Sequence, residues 1–134
     1  MMLIIFSNLT LSTIFDPEFH RYLIGSLFIL AGILHFIKPQ VYSKIMPDYI
    51  PYHRAMVFIS GVFEILGGIG FLVPALRIYA AWGLILLLIV VFPANIEMAR
   101  KGYRKHGLTL YTWLLIARLP LQFVLIWWVY WAGI

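Results

Sequence analysis

Apolar residues in this chain gather into long runs, and the charged residues fall between the runs rather than alternating within them. Four runs stand out: about Tyr22–Ile37, Ala55–Val73, Ile78–Ala99 and Leu108–Trp131. Charge or proline bounds them, with Arg21 and Lys38-Pro39 around the first, Arg54 and Pro74 around the second, and Arg77 and Arg100-Lys101 around the third. Each is close to the roughly 20 residues a helix needs to cross the hydrocarbon of a bilayer. Aromatic residues collect at their ends: Tyr22, Tyr79, Trp82, Trp127, Trp128, Tyr130 and Trp131 at one level, and Tyr42, Tyr49, Tyr52, Tyr103, Tyr111 and Trp113 at the other. Such belts mark the two membrane–water interfaces. The pattern predicts an all-α fold, an integral membrane four-helix bundle over residues 21–134, preceded by an N-terminal interfacial arm over residues 1–20.

Composition sharpens this. Of 134 residues, 63% are hydrophobic and 11% charged, with a mean hydropathy of +0.96. A soluble domain carries about 25% charged residues, so a soluble globular enzyme and a disordered chain are both excluded. The stretch Met1–Phe15 has the apolarity of a targeting signal but no basic start or small-residue cleavage site, and Ser7, Asn8, Thr10, Ser12 and Thr13 dilute it. It reads as a retained arm at the interface, with a fifth short span as the alternative. The absence of cysteine removes disulfides, thiolate metal sites and dithiol relays.

The net charge of +5 reports orientation rather than a nucleic-acid partner. Lys38, Lys44, Arg54, Arg100, Lys101, Arg104 and Lys105 lie in the first and third connections, against Arg21 and Arg77 on the opposite side. Basic loops favour the cytoplasm. Loops 38–54 and 100–107 are therefore expected inside, with both termini facing outward, and the expected location is the bacterial cytoplasmic membrane. The first loop combines Pro39, Pro47 and Pro51 with apolar residues. Pro39 suits the first turn of a short helix and Pro47 its end. Val41, Tyr42, Ile45 and Met46 can share one face, so the segment either lies at the interface or folds under the bundle.

The candidate chemistry lies inside the membrane. Glu64 is about ten residues from the Arg54 end, near mid-bilayer at 1.5 Å per residue. A carboxylate there costs a few kcal/mol or more unless it is paired, hydrogen-bonded or neutralised (roughly, by insertion scales). Its helical neighbours Ser60, Gly61, Gly67 and Gly68 leave a bare face that another helix can approach, which turns Glu64 into the bundle. Arg118 falls at nearly the same depth in a span of the same direction and shares a face with Tyr111 and Gln122, beside Pro120. A Glu64–Arg118 ion pair is expected. Nearer the cytoplasmic end lie His35 and Asn95. Asn95 follows Pro93, which deprives the Ile89 carbonyl of its helical donor. The expected site is a polar cavity open to the cytoplasm, with Glu64 and Arg118 at its floor, His35 and Asn95 near its mouth, and Gln122 counted among its residues. The plainer alternative is that these groups only clamp helices together. No metal is expected, because the ligand spacings are missing and Arg118 competes for the carboxylate.

Four stretches together resemble the DoxX-like membrane proteins: GILHF (32–36) with its following proline, IMP (45–47) and IP (50–51); ISGVFEILGGIG (59–70); VFPANIEMA (91–99); and RLPLQ (118–122). They cover about residues 22 to 125. The resemblance implies a four-helix membrane bundle. The functions it brings are subunits of quinone-linked sulfur oxidation, components of membrane redox complexes, and assembly chaperones for receptor channels. A related branch works through paired cysteines, which this chain lacks. Two functions are therefore expected. One is a non-catalytic accessory or chaperone-like subunit whose cavity takes a lipophilic ligand. The other is a subunit of a quinone-linked oxidoreductase complex, in which His35 or Glu64 relays protons to a bound quinone. No other cofactor is evident. The partners expected are membrane lipids, a larger membrane protein or complex, or further copies of the chain. A transporter is disfavoured because no internal repeat is visible.

Overall fold

The structure, a computed structural model, describes residues 1–3, 12, 14–46, 48 and 51–134. Five helices follow one another: α1 (Pro17–Ile37), α2 (Pro39–Ile45), α3 (His53–Leu72), α4 (Arg77–His106) and α5 (Leu110–Gly133). There is no strand among the described residues. Helices α1, α3, α4 and α5 are each long and apolar enough to cross a bilayer. This is the all-α four-helix bundle of an integral membrane protein. Large apolar side chains such as Phe63, Leu86, Val90 and Phe123 are exposed on its outside, as a lipid-facing surface requires.

Helix boundaries follow local chemistry. The first span starts at Pro17, inside the stretch expected to be an arm, because Asp16 caps it: the Asp16 carboxylate accepts from the Glu18 backbone N–H at 3.0 Å. Pro17 then occupies a first-turn position, where a missing N–H costs nothing. Most of the remaining arm, residues 4–11 and 13, lies outside the described residues. Helix α2 opens on Pro39 as expected, whereas Pro47, expected to end it, lies outside the described residues. The third span runs past Arg100-Lys101 to His106. Glu97 pairs with Arg100 at 3.5 Å, and Arg104, Lys105 and His106 in the last turn complement the helix dipole. Gly107, at φ 65°, turns the chain out of α4. With 30 residues, α4 is about 45 Å long.

The spans pack in the ring order α1–α3–α4–α5, and the α1–α3 contact is the most extensive. Glycines set that contact. A methyl group added at Gly32 would stand 2.6 Å from the Gly61 carbonyl oxygen, and one at Gly68 would stand 2.7 Å from that of Gly25. The two backbones touch at both levels, and only glycine permits it. Near the chain-terminal end all four spans meet in one core of Ile24, Phe28, Phe71, Ala81, Leu84 and Val129 with their neighbours. There α5 is tied to α1: Arg21 Nε donates to the Ala132 carbonyl at 2.8 Å, and the Trp128 indole N–H donates to His20 Nδ1 at 3.1 Å. At the basic end a smaller cluster, Met98, Ala99 and Leu115, joins only α4 to α5.

Gly32→Ala and Gly68→Ala should each destabilise the bundle by about 1–3 kcal/mol, the usual cost of overpacking. Gly83→Ala, with nothing within 4 Å of the added methyl, should be neutral. Chemical unfolding in a nonionic detergent reads all three.

Candidate functional site

Side chains on a helix lean toward its N-terminus. In the antiparallel pair α1 and α3, His35 leans back toward Ala31 and Glu64 leans back toward Ser60, so the two converge beside the Gly32–Gly61 contact. His35 Nδ1 lies 3.0 Å from Glu64 Oε2 and 2.8 Å from the Ala31 carbonyl oxygen. One N–H can be aligned on only one of them, and the alignment favours the carbonyl. Among the described residues, Glu64 Oε2 is thus a buried acceptor beside the ring with no aligned donor.

The expected Glu64–Arg118 ion pair does not form. Arg118 Nη1 instead points at the Met98 thioether sulfur, 3.4 Å away, and among the described residues no carboxylate pairs with it. Equal depth along two spans places charges at one level but says nothing of azimuth. Here α3 and α5 sit across the ring from each other, while α1 lies directly against α3.

Asn95 and Gln122 form a second polar pair between α4 and α5. The Asn95 amide donates to Gln122 Oε1, and Gln122 Nε2 donates to the Leu88 carbonyl. Gln122 is 3% exposed, so both of its amide atoms needed partners inside. The acceptor used is Leu88, on the buried side of α4, rather than the Ile89 carbonyl that Pro93 leaves without a helical donor. Ile89 faces outward.

His35, Glu64, Asn95, Arg118 and Gln122 all line one cavity of about 430 Å³. That is within the roughly 300–1,000 Å³ of pockets that bury small ligands. The other end of the cavity is apolar, walled by Ile24, Leu27, Phe28, Leu88, Leu125 and Trp128. Its polar end is not the open mouth the sequence led us to expect, because α2 lies across it. Tyr42 stacks on the His35 ring with centroids 4.0 Å apart and planes 15° apart, and Met46 joins the lining. The sequence had placed Tyr42 both in an interfacial belt and on a face able to fold under the bundle, and the second position is the one adopted. Burial first, and then the Glu64 carboxylate, raise the Tyr42 pKa above its ordinary value, so its hydroxyl stays protonated and able to donate.

The end of α4 holds this cover in place. Lys101 Nζ donates to the Met46 carbonyl and to Asp48 Oδ1, both at 3.0 Å. The Lys101 ammonium keeps the Asp48 carboxyl below the ordinary aspartate range. No group of three or more His, Cys, Asp or Glu able to hold a metal occurs among the described residues.

Two outcomes check this geometry. In a double-mutant cycle, His35→Gln and Glu64→Gln should couple by about 0.5–3 kcal/mol, while Glu64→Gln and Arg118→Gln should add within about 0.5. The Asp48 contribution is complete above the ordinary aspartate pKa of about 3.9 and is lost as pH falls through its lower folded value. Hydroxyl-radical labelling of Met46 should therefore stay flat from about pH 7 to 5 and rise below about pH 4. In Asp48→Asn it should be high throughout.

Neither a curated protein nor a solved structure matches the chain. Residues 24–133 match the family described as a domain of unknown function, DUF8561. The match takes in every residue of the cavity, and the chain belongs to that family.

Proposed function

We propose that this protein is a non-catalytic, DoxX-like accessory or chaperone-like subunit of a larger membrane assembly that holds a lipophilic ligand between its helices. One observation carries the reading. Polar side chains from four helices gather at one end of a single cavity whose other end is apolar. His35 meets Glu64, and Asn95 with Gln122 ties α4 to α5, but all of these groups also border one shared space. Arg118 in particular is exposed and, among the described residues, has a thioether and no carboxylate for a partner. The basic end, carrying α2 and the α3 start, faces the cytoplasm by the distribution of Lys and Arg, in a bacterial cytoplasmic membrane.

A second reading is favoured by the His35–Glu64–Tyr42 cluster. Three adjacent groups able to carry a proton at the head of an apolar slot suit a quinone, in a subunit of a quinone-linked oxidoreductase complex.

Native mass spectrometry of the protein extracted gently from its own membrane tests both. A lipophile should be retained at one per chain, and Ala94→Phe, which fills the cavity wall, should release it without loss of folding. A bare wild-type protein overturns the ligand reading. If the retained molecule is a quinone and Glu64→Gln abolishes quinone-dependent turnover in a folded protein, the second reading replaces the first.

A further inference from the structure

We infer that the ligand is a single-chain amphiphile with an anionic head, taken sideways from the bilayer through the gap between α1 and α5, with Arg118 as its counter-ion. This rests on the ligand reading above and names the chemistry and the path.

The charge balance at the polar end gives the sign. Glu64 faces His35 at 3.0 Å across the α1–α3 contact, so the carboxylate at this end of the cavity is engaged with the imidazole and not with Arg118. Asn95, Gln122 and Tyr42 are neutral. Among the described residues no carboxylate pairs with Arg118, and its guanidinium meets Met98 Sδ. An unpaired guanidinium within a span is costly, and a bound anion removes that cost. The basic end of the bundle carries seven of the ten Lys and Arg residues, Lys38, Lys44, Arg54, Arg100, Lys101, Arg104 and Lys105, and these concentrate anionic amphiphiles at the same level.

The packing gives the path. Helix α2 covers the polar end from the aqueous side. The α1–α5 contact is the slightest between ring neighbours, and it is hydrogen-bonded at the Arg21–Ala132 and His20–Trp128 level. Below that level Leu27 of α1 and Leu121 of α5 both line the cavity and are yet 46% and 52% exposed. The seam between them is open to lipid. A head entering there meets Arg118 on the α5 side, while its chain lies along Leu27, Leu125 and Trp128. A cavity of about 430 Å³ favours one chain rather than two.

The test uses the full chain in a nonionic detergent and two probes, a long-chain fatty acid brominated in its chain and the methyl ester of the same acid. Bromine quenches indole at contact, so Trp128 reports occupancy, and Trp128→Phe identifies its share of the signal. The acid should bind about tenfold or more tightly than the ester, the worth of one charge-assisted hydrogen bond. Arg118→Gln should bring the acid down to the affinity of the ester and leave the ester unchanged, and Arg118→Lys should keep most of the preference. Equal binding of acid and ester by the wild type overturns the anionic head whether or not the Gln variant folds. Saturable quenching by neither probe overturns the ligand reading itself. Leu27→Phe with Leu121→Phe should slow acid association several-fold while preserving the preference, and an unchanged rate overturns the lateral path.

Discussion

The close approach of α1 and α3 governs the rest of the molecule. At Gly32–Gly61 and Gly25–Gly68 the backbones meet with no side chain between them. In a bilayer, where lipid is as apolar as leucine, such packing does the work that hydrophobic burial does in water. It also fixes the chemistry. With the helices this close and antiparallel, His35 and Glu64 lean into the same space, and the carboxylate finds an imidazole instead of hydrocarbon. The glycines that close the contact thus also choose the partner of the charged residue.

The bundle is asymmetric as a result. One half, α1 with α3, is closed by backbone contact. The other, α4 with α5, is joined by apolar clusters and by the Asn95–Gln122–Leu88 chain of hydrogen bonds. The core shared by all four spans lies near Phe71 and Val129, and the cavity runs from there toward the basic end. Pro93 sits within α4 at the cavity's height, where an amide from α5 supplies a donor to the helix one turn earlier.

Much of this was legible in the sequence because it depends on one-dimensional quantities. Run length gave the four spans, and the cost of placing Glu64 and Arg118 among apolar residues singled them out without reference to geometry. The position of Pro39 gave the start of α2. What failed needed angles. The Glu64–Arg118 pairing was argued from depth, but which helices are neighbours in the ring is not a property of depth. The end of α4 was placed at the first charges, although a helix continues past charges when its last turn and a glycine cap favour it, as Arg104 to Gly107 do. The role of Tyr42 depended on α2 folding under the bundle, which the Lys101 contacts with Met46 and Asp48 decide from 53 and more residues away.

The length of α4 has a bearing on where the site sits in the membrane. At about 45 Å the helix exceeds a hydrocarbon layer of about 30 Å, so its last turns stand among the lipid headgroups. Lys101 lies in that overhang, and α2 is held to it. The cover over the polar end is therefore set at headgroup height, and Arg118, about 12 Å into α5 from Leu110, lies deeper, within the hydrocarbon. A charged head moving from the surrounding leaflet to the site therefore descends below the headgroups, and the guanidinium receives it there. The overhanging helix acts as a depth gauge, and a bilayer of different thickness would shift the site relative to the heads it faces.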